Sequence, residues 1–319
     1  MAVYTDLAFD DLGNLLSGYD IGTPKSFKGI AEGVENSNFL LQTDRGTYIL
    51  TLYEKRVRAE DLPFFLDLLE HLSRRGIACP QPVRARSGAQ WTTLKDRPAA
   101  LLSFLDGVSL RRPRAGHCAE AGAALATLHS AGADFVSRRA NSLSLSGWRK
   151  LAESVMTRAD SVESGLAQLI ATRLDSIEDT WPSGLPAGVI HADLFPDNVL
   201  FIGNRISGLI DFYFACDDFY AYDLAVMLNA WCFEPAGSFN RTRAQSLISA
   251  YCQRRPLSNL EKQALPVLAQ GAALRFLLTR LQDWLDHDAR MLVRPKDPRE
   301  FAERLRFHAA VKSAEEYGA

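Results

Sequence analysis

The chain has 319 residues, too many for one ordinary hydrophobic core and suited to two lobes. It is 47% hydrophobic and 23% charged with a net charge of -2, which excludes a surface built to neutralise nucleic-acid phosphates. The cysteines at 79, 118, 216, 232 and 252 form no C-x-x-C pair, so reduced, mostly buried thiols of a cytoplasmic protein are expected. The histidines form no H-E-x-x-H, and no zinc site is expected. Residues 1–20 carry acidic groups where a secretory signal needs a basic end, and no apolar stretch is expected to span a bilayer.

Taken in order, residues 6–16 are amphipathic and predict a helix with Thr5 as N-cap. Strands are expected over 27–31, 38–43 and 48–53, with Asp44-Arg45-Gly46 turning between the last two. Leu62, Phe65, Leu66, Leu69 and Leu72 fall at helical spacing within 59–75, and Gly76 ends that helix. Short strands are expected around Val83 and over 91–94, followed by the apolar run 99–105. Beyond Gly107 the texture turns helical, over 119–129, 148–156 and 166–181. Residues 189–212 are the only strand-rich part of this half, and everything past Tyr220 reads as helix, with a capping box at Ser258-Asn259-Leu260-Glu261. The expected class is α+β: a small β-rich lobe over 1–102 and a larger, mainly helical lobe over 103–319. A nucleotide commonly sits in the crevice between such lobes.

The chemistry concentrates in His191-Ala192-Asp193-Leu194-Phe195-Pro196-Asp197-Asn198 and Ile210-Asp211-Phe212. The spacing of Asp193 and Asn198 matches the protein-kinase catalytic loop, where the aspartate is the base and the asparagine holds a metal; Asp211 stands where the metal-binding aspartate of the kinase Asp-Phe-Gly motif would stand. Gly203-Asn204 joins two apolar runs as a two-residue hairpin loop. If Ile202 pairs with Arg205, Asn198 lies opposite Leu209, and Asp211 is its diagonal neighbour on the same face, roughly 7–8 Å away. Such oxygen ligands suit Mg²⁺ held mainly by nucleotide phosphates. His191 either orders the loop by hydrogen bonds or serves as a second base. Asp223 either caps its helix or braces the catalytic loop. Residues 29–38, Asn36 among them, could fold over phosphates, though they form no P-loop and no Rossmann fingerprint.

These motifs, with Leu125-Ala126-Thr127-Leu128-His129 and Asp223-Leu224-Ala225, resemble the aminoglycoside phosphotransferase and choline kinase superfamily. Gly33-Val34-Glu35-Asn36-Ser37-Asn38-Phe39, Tyr48-Ile49-Leu50-Thr51-Leu52-Tyr53-Glu54 and Ala273-Leu274-Arg275-Phe276 narrow the resemblance to the homoserine kinases built on a protein-kinase-like fold. It covers roughly residues 29–280. It implies ATP and Mg²⁺ as cofactors, L-homoserine as acceptor and a step toward threonine. It also implies Asp193 as base, Asn198 and Asp211 as metal ligands, and adenine on the backbone near Ser103, Phe104 and Leu105. One departure is plain: Thr51 stands where the kinase strand lysine belongs. Lys55, Arg56 or Lys28 could supply the cation instead, and Glu60 or Glu70 its acidic partner.

Homoserine needs a cation for its carboxylate, which favours arginine. Arg275 and Arg280 lie in an apolar late segment, with an internal ion pair to Asp283 or Asp286 as the alternative reading. Asp217 or Asp218 would take the ammonium and Tyr213 would line the same wall. Kinases of choline or ethanolamine, of an aminoglycoside or of methylthioribose remain same-class rivals, and a non-catalytic pseudokinase a rival of another class. Partners are expected to be small molecules only, with neither nucleic acid nor membrane, and the chain a monomer or homodimer.

Overall fold

The computed structural model describes residues 5, 7–30, 36–54, 57–287 and 294–319. The described residues up to Asp106 make one compact unit, and those from Gly107 onward another. The first unit runs α1 (Phe9–Leu16), β1 (Pro24–Ile30), β2 (Asn36–Thr43), β3 (Thr47–Tyr53), α2 (Leu62–Arg74), β4 (Thr92–Leu94) and β5 (Arg97–Ser103). Its antiparallel sheet has the order β1-β2-β3-β5-β4. Period-two apolar residues decide the register. Phe39 faces Leu50, and Leu50 faces Leu101, so one row of side chains crosses three strands. Leu12 and Leu16 of α1 join the same core.

Three local expectations shift here. α1 starts at Phe9 because Asp11 accepts the Ala8 amide at 2.9 Å, while the Thr5 amide is drawn to Ser37 Oγ at 3.3 Å. The helix expected over 59–75 opens as a single 3-10 turn at Ala59–Asp61 and becomes α-helical from Leu62, with Pro63 in the first turn, where no amide is needed. Val83 makes only a bridge-like contact, its amide donating to the Leu101 carbonyl at 2.8 Å.

The second unit runs α3 (Ala115–Ala131), α4 (Leu145–Ala159), α5 (Leu166–Thr180), β6 (Ala187–Ile190), β7 (Val199–Ile202), β8 (Arg205–Leu209), β9 (Cys216–Phe219), α6 (Tyr220–Trp231), α7 (Arg241–Cys252), α8 (Asn259–Leu285) and α9 (Arg299–Ala310). The capping box is present: the Glu261 amide donates to Ser258 Oγ at 3.2 Å and the Ser258 amide to Glu261 Oε2 at 2.9 Å. The expectation that no apolar stretch could span a bilayer needs correction. α8, with 27 residues, is long and apolar enough by length and composition, but 78% of its most apolar window is buried against the rest of this unit. β9 was not expected either; it pairs antiparallel with β6, Ile190 facing Cys216 and Ala187 facing Phe219.

α3 packs on α7 with almost no room at Gly122, where an added Cβ would lie 2.2 Å from the Leu247 carbonyl oxygen. Gly122→Ala gains helix propensity of about 1 kcal/mol but must push the two helices apart. The expected net loss is about 1–2 kcal/mol, read as a lower urea midpoint at unchanged m-value. An equal or higher midpoint would show that α3 and α7 do not sit this close.

Candidate active site

β6 ends in the loop that carries the catalytic motif, and buried polar groups hold that loop residue by residue. Asp223, fully buried near the start of α6, accepts the His191 amide at 2.7 Å with Oδ2 and the Ala192 amide at 2.8 Å with Oδ1. Its Oδ2 also takes His129 Nε2 at 3.1 Å. Asp223 thus braces the loop as well as standing in the first turn of α6. His129 Nδ1 in turn accepts the Tyr251 hydroxyl at 2.9 Å, and Tyr251 receives Arg255 at 3.1 Å. The carbonyls are held too: Ala192 by Arg275 Nη1, and Leu194 by Trp231 Nε1 at 2.7 Å. Ala192 sits at φ +62, left-handed backbone that a residue with a Cβ adopts only when its surroundings fix it.

His191 is fully buried and points both ring nitrogens at backbone. The Asp193 amide donates to Nδ1 at 3.3 Å, so Nε2 carries the proton and donates to the Ile210 carbonyl at 3.0 Å. The ring therefore ties the catalytic loop to the segment before Asp211. Burial pushes its pKa down, as it does for His129. Burial would raise Asp223, but hydrogen bonding and charge from His129, with the His191 side chain and amide, hold it below the ordinary carboxylate value. Asp223 is ionised and both imidazoles are neutral.

Asn198 donates Nδ2 to the Asp193 carbonyl at 2.8 Å and to Asp193 Oδ2 at 3.2 Å, which joins candidate base and candidate metal ligand directly. With its amide hydrogens committed to Asp193, its Oδ1 is the acceptor left to face a cation. The expected hairpin register is corrected. Ile202 does pair with Arg205, but β8 carries one extra residue, so Val199 faces Leu209. The Ile210 amide donates to the Asn198 carbonyl at 3.0 Å. Asn198 thus lies beside Ile210, one residue nearer to Asp211 than expected. Asp211 is exposed and left-handed, φ +65, where the chain leaves the hairpin.

The structure distributes the other candidates unevenly. Arg275 is almost fully buried under the loop, its guanidinium 4.5 Å from the Phe276 ring centroid and 5.2 Å from that of Phe214, with no ion pair among the described residues. Arg280 pairs with Glu300 at 2.5 Å, so neither Asp283 nor Asp286 is its partner; Asp286 pairs with Arg158. Asp217 is taken by Arg138 at 2.9 Å and the Arg139 amide at 2.8 Å. Asp218 accepts Asn141 Nδ2 at 2.7 Å, and burial raises its pKa. Tyr213 lies half-buried in the 3-10 turn after Asp211.

Within the first unit, Ser103 ends β5 with Oγ accepting the Gln81 amide at 2.9 Å; Phe104 is exposed and Leu105 half-buried beyond it. Asn36 is buried with Oδ1 unpartnered among the described residues. Thr51 is buried and donates to Asn38 Oδ1 at 2.7 Å. Lys28 is exposed on β1. Lys55, Arg56 and most of the 29–38 segment lie outside the described residues. Glu60 pairs with Arg58, and Glu70 with Arg74 and Arg84, so both helix acids already have arginine partners. Sequence reasoning missed the contacts of Asn141 with Asp218, Tyr251 with His129 and Arg304 with Asn229; each joins segments far apart in the chain, which no spacing rule reports.

The fold is protein-kinase-like. It is similar to a spectinomycin phosphotransferase solved with ADP and spectinomycin (TM-score 0.71, 15% identity, 98% of this chain and 100% of that one). It is also similar to a choline kinase from Cryptosporidium parvum (TM-score 0.65, 16% identity, covering 89% and 88%). Residues 26–257 match the APH model, the phosphotransferase enzyme family, and the chain belongs to that family. A homoserine kinase of Xanthobacter autotrophicus is 64% identical over 318 residues, 100% of this chain and 99% of the relative. A homoserine kinase of Rhodospirillum rubrum is 60% identical with the same coverage.

The buried imidazoles set an acid limit on stability. His129, His191 and also His308, held down to about 3, resist protonation when folded and accept it when unfolded. Their folded values lie below the ordinary histidine value near 6.5, so unfolding takes up protons and stability falls as pH drops below that value. Each contributes up to about 1.4 kcal/mol per pH unit. Urea midpoints should therefore be lower at pH 5.5 than at pH 7.5, and His308→Gln should flatten the slope. A midpoint that rises on acidification would contradict this account.

Proposed function

We infer that this chain transfers the γ-phosphate of ATP to the side-chain hydroxyl of L-homoserine, giving O-phospho-L-homoserine on the route to threonine. The homoserine kinases that match it end to end support the substrate. The observation that carries the chemistry is the Asp193–Asn198 contact on a loop fixed by Asp223. Phosphoryl transfer asks for position and charge more than for covalent help. In this reading Asp193 accepts the hydroxyl proton, and Asn198 keeps the Asp193 carboxylate turned toward the acceptor. Ser103, Phe104 and Leu105 offer backbone to adenine, and Asn36 its buried carbonyl oxygen to the nucleotide.

A magnesium ion fits the donor set. Asn198 Oδ1 and the exposed Asp211 carboxylate are hard oxygen donors on adjoining backbone, and no cluster of three or more acidic, histidine or cysteine side chains competes among the described residues. When bound, Mg²⁺ would neutralise charge developing on the phosphates. Two side-chain ligands suit an ion held largely by nucleotide and water.

Asp193→Asn keeps the loop's shape and removes the acceptor; kcat should fall about 10²–10⁴-fold with nucleotide affinity little changed. Turnover close to the parent's would remove Asp193 from the role. Asp211→Ala should abolish magnesium-dependent turnover, and Asn198→Ala should shift the Mg²⁺ titration to higher concentration. If both variants give the parent's titration curve, the metal lies elsewhere.

A further inference from the structure

Beside the catalytic loop, the second unit has an open cleft of about 300 Å³ whose charges do not balance: Arg111, Arg280, Lys296 and Arg304 line it against Asp197 and Glu300. Phe195, two residues from Asp193, forms part of its wall. The arginines are arranged in advance. Arg280 and Arg304, each about one-tenth exposed, both hydrogen-bond the half-exposed Glu300 carboxylate, one on each oxygen. Their guanidinium planes lie over the Phe301 ring at 4.4 and 4.5 Å, and Arg304 also donates to the Asn229 carbonyl at 2.7 Å. Two buried guanidiniums on one carboxylate leave a positive charge without a partner. Burial lowers the Arg304 pKa to about 10, and the neighbouring Arg280 adds to that shift. At the rim, Lys296 reaches Asp197 at 3.2 Å and lies 5.9 Å from the Phe195 ring centroid.

We propose that this cleft is the amino-acid subsite of the kinase: Arg280 and Arg304 take the α-carboxylate of the acceptor, and Asp197 and Glu300 take its ammonium. The proposal rests on the functional reading above and deepens it. A zwitterion answers both signs of charge in the cleft, whereas a plain alcohol or a cationic amine would leave the two arginines sharing the single Glu300 carboxylate. The volume holds one small amino acid. The turn from Asp193 to Phe195, closed by the Phe195 amide on the Asp193 carbonyl at 2.8 Å, links this wall directly to the base. Arg275, whose Nη1 donates to the Ala192 carbonyl, acts in this proposal as a positioning residue of the loop.

The test compares homoserine with its decarboxylated amino alcohol in the full-length enzyme. In Arg280→Met, KM for homoserine should rise about 30–100-fold, as expected for one lost charge-assisted hydrogen bond, with KM for ATP unchanged and the amino alcohol no worse than with the parent. Because Arg280 is largely buried, the exposed pair Arg111→Ser/Lys296→Ser is the second variant, with a several-fold rise confined to homoserine. Arg275→Met should lower kcat and leave KM for homoserine in place. If the cleft variants lose both acceptors equally, or neither, or if Arg275→Met raises KM for homoserine alone, the subsite is not here. A parent enzyme inactive on homoserine would instead overturn the functional reading itself.

Discussion

The active loop depends on one buried carboxylate. An ionised aspartate out of contact with water is expensive unless every oxygen is occupied. Asp223 meets that condition through the two amides that open the catalytic loop and one imidazole. The compensation runs both ways. The His191 and Ala192 amides would themselves be buried donors without it, and Ala192 would lose the restraint that keeps it left-handed. The charge is passed outward through neutral groups, His129 and then Tyr251, until Arg255 and the buried Glu261 close the chain with an ion pair at 2.8 Å. The cap of α8 is thus mechanically continuous with the loop that positions Asp193, since Glu261 is also the capping residue.

The helices around the loop solve a second electrostatic problem with aromatic rings. Arg275, Arg280 and Arg304 are all largely buried, yet only the last two find a carboxylate. Phe214, Phe276 and Phe301 supply faces on which the planar guanidinium can lie, so the cations are fixed by rings as well as by acids. A guanidinium is weakly hydrated and tolerates this; an ammonium would not. This is why a helix apolar enough to cross a bilayer can still present charge to the catalytic loop from its interior positions.

Much of this was legible in the sequence because it depends on local chemistry. The Gly203-Asn204 turn is one case: Gly203 takes φ +61, which only glycine adopts freely. The Ser258–Glu261 cap and the spacing of Asp193 to Asn198 are others. What was not legible depends on partners. The strand Cys216–Phe219 has two strand-disfavouring acids in its middle; it forms because β6 is there to pair with it and because Arg138 and Asn141 donate to its carboxylates. The extra residue in β8 is invisible for the same reason, since its effect is a register that only the partner strand defines. Arg275 is a third case: the acceptor its Nη1 finds, the Ala192 carbonyl, belongs to a segment distant in the chain.

The absent strand lysine fits the same electrostatic logic. A lysine at position 51 would sit in the sheet's interior and require an anion within reach. The helix acids that could have served, Glu60 and Glu70, are already balanced by Arg58, Arg74 and Arg84. The buried Glu54 is balanced by Arg97 at 3.4 Å and by a 2.6 Å hydrogen bond from Ser37. No carboxylate in the described part of this unit's interior is left asking for a cation at Thr51. The neutral Thr51–Asn38 pair instead ties β2 to β3 by a side-chain hydrogen bond at the very position where the two strands face each other. Among the described residues the charged strand-to-helix pair is therefore absent as a unit: a neutral pair stands at the cation's position, and the helix acids hold arginines. Its loss argues for a different way of holding the phosphates and says nothing against catalysis by Asp193.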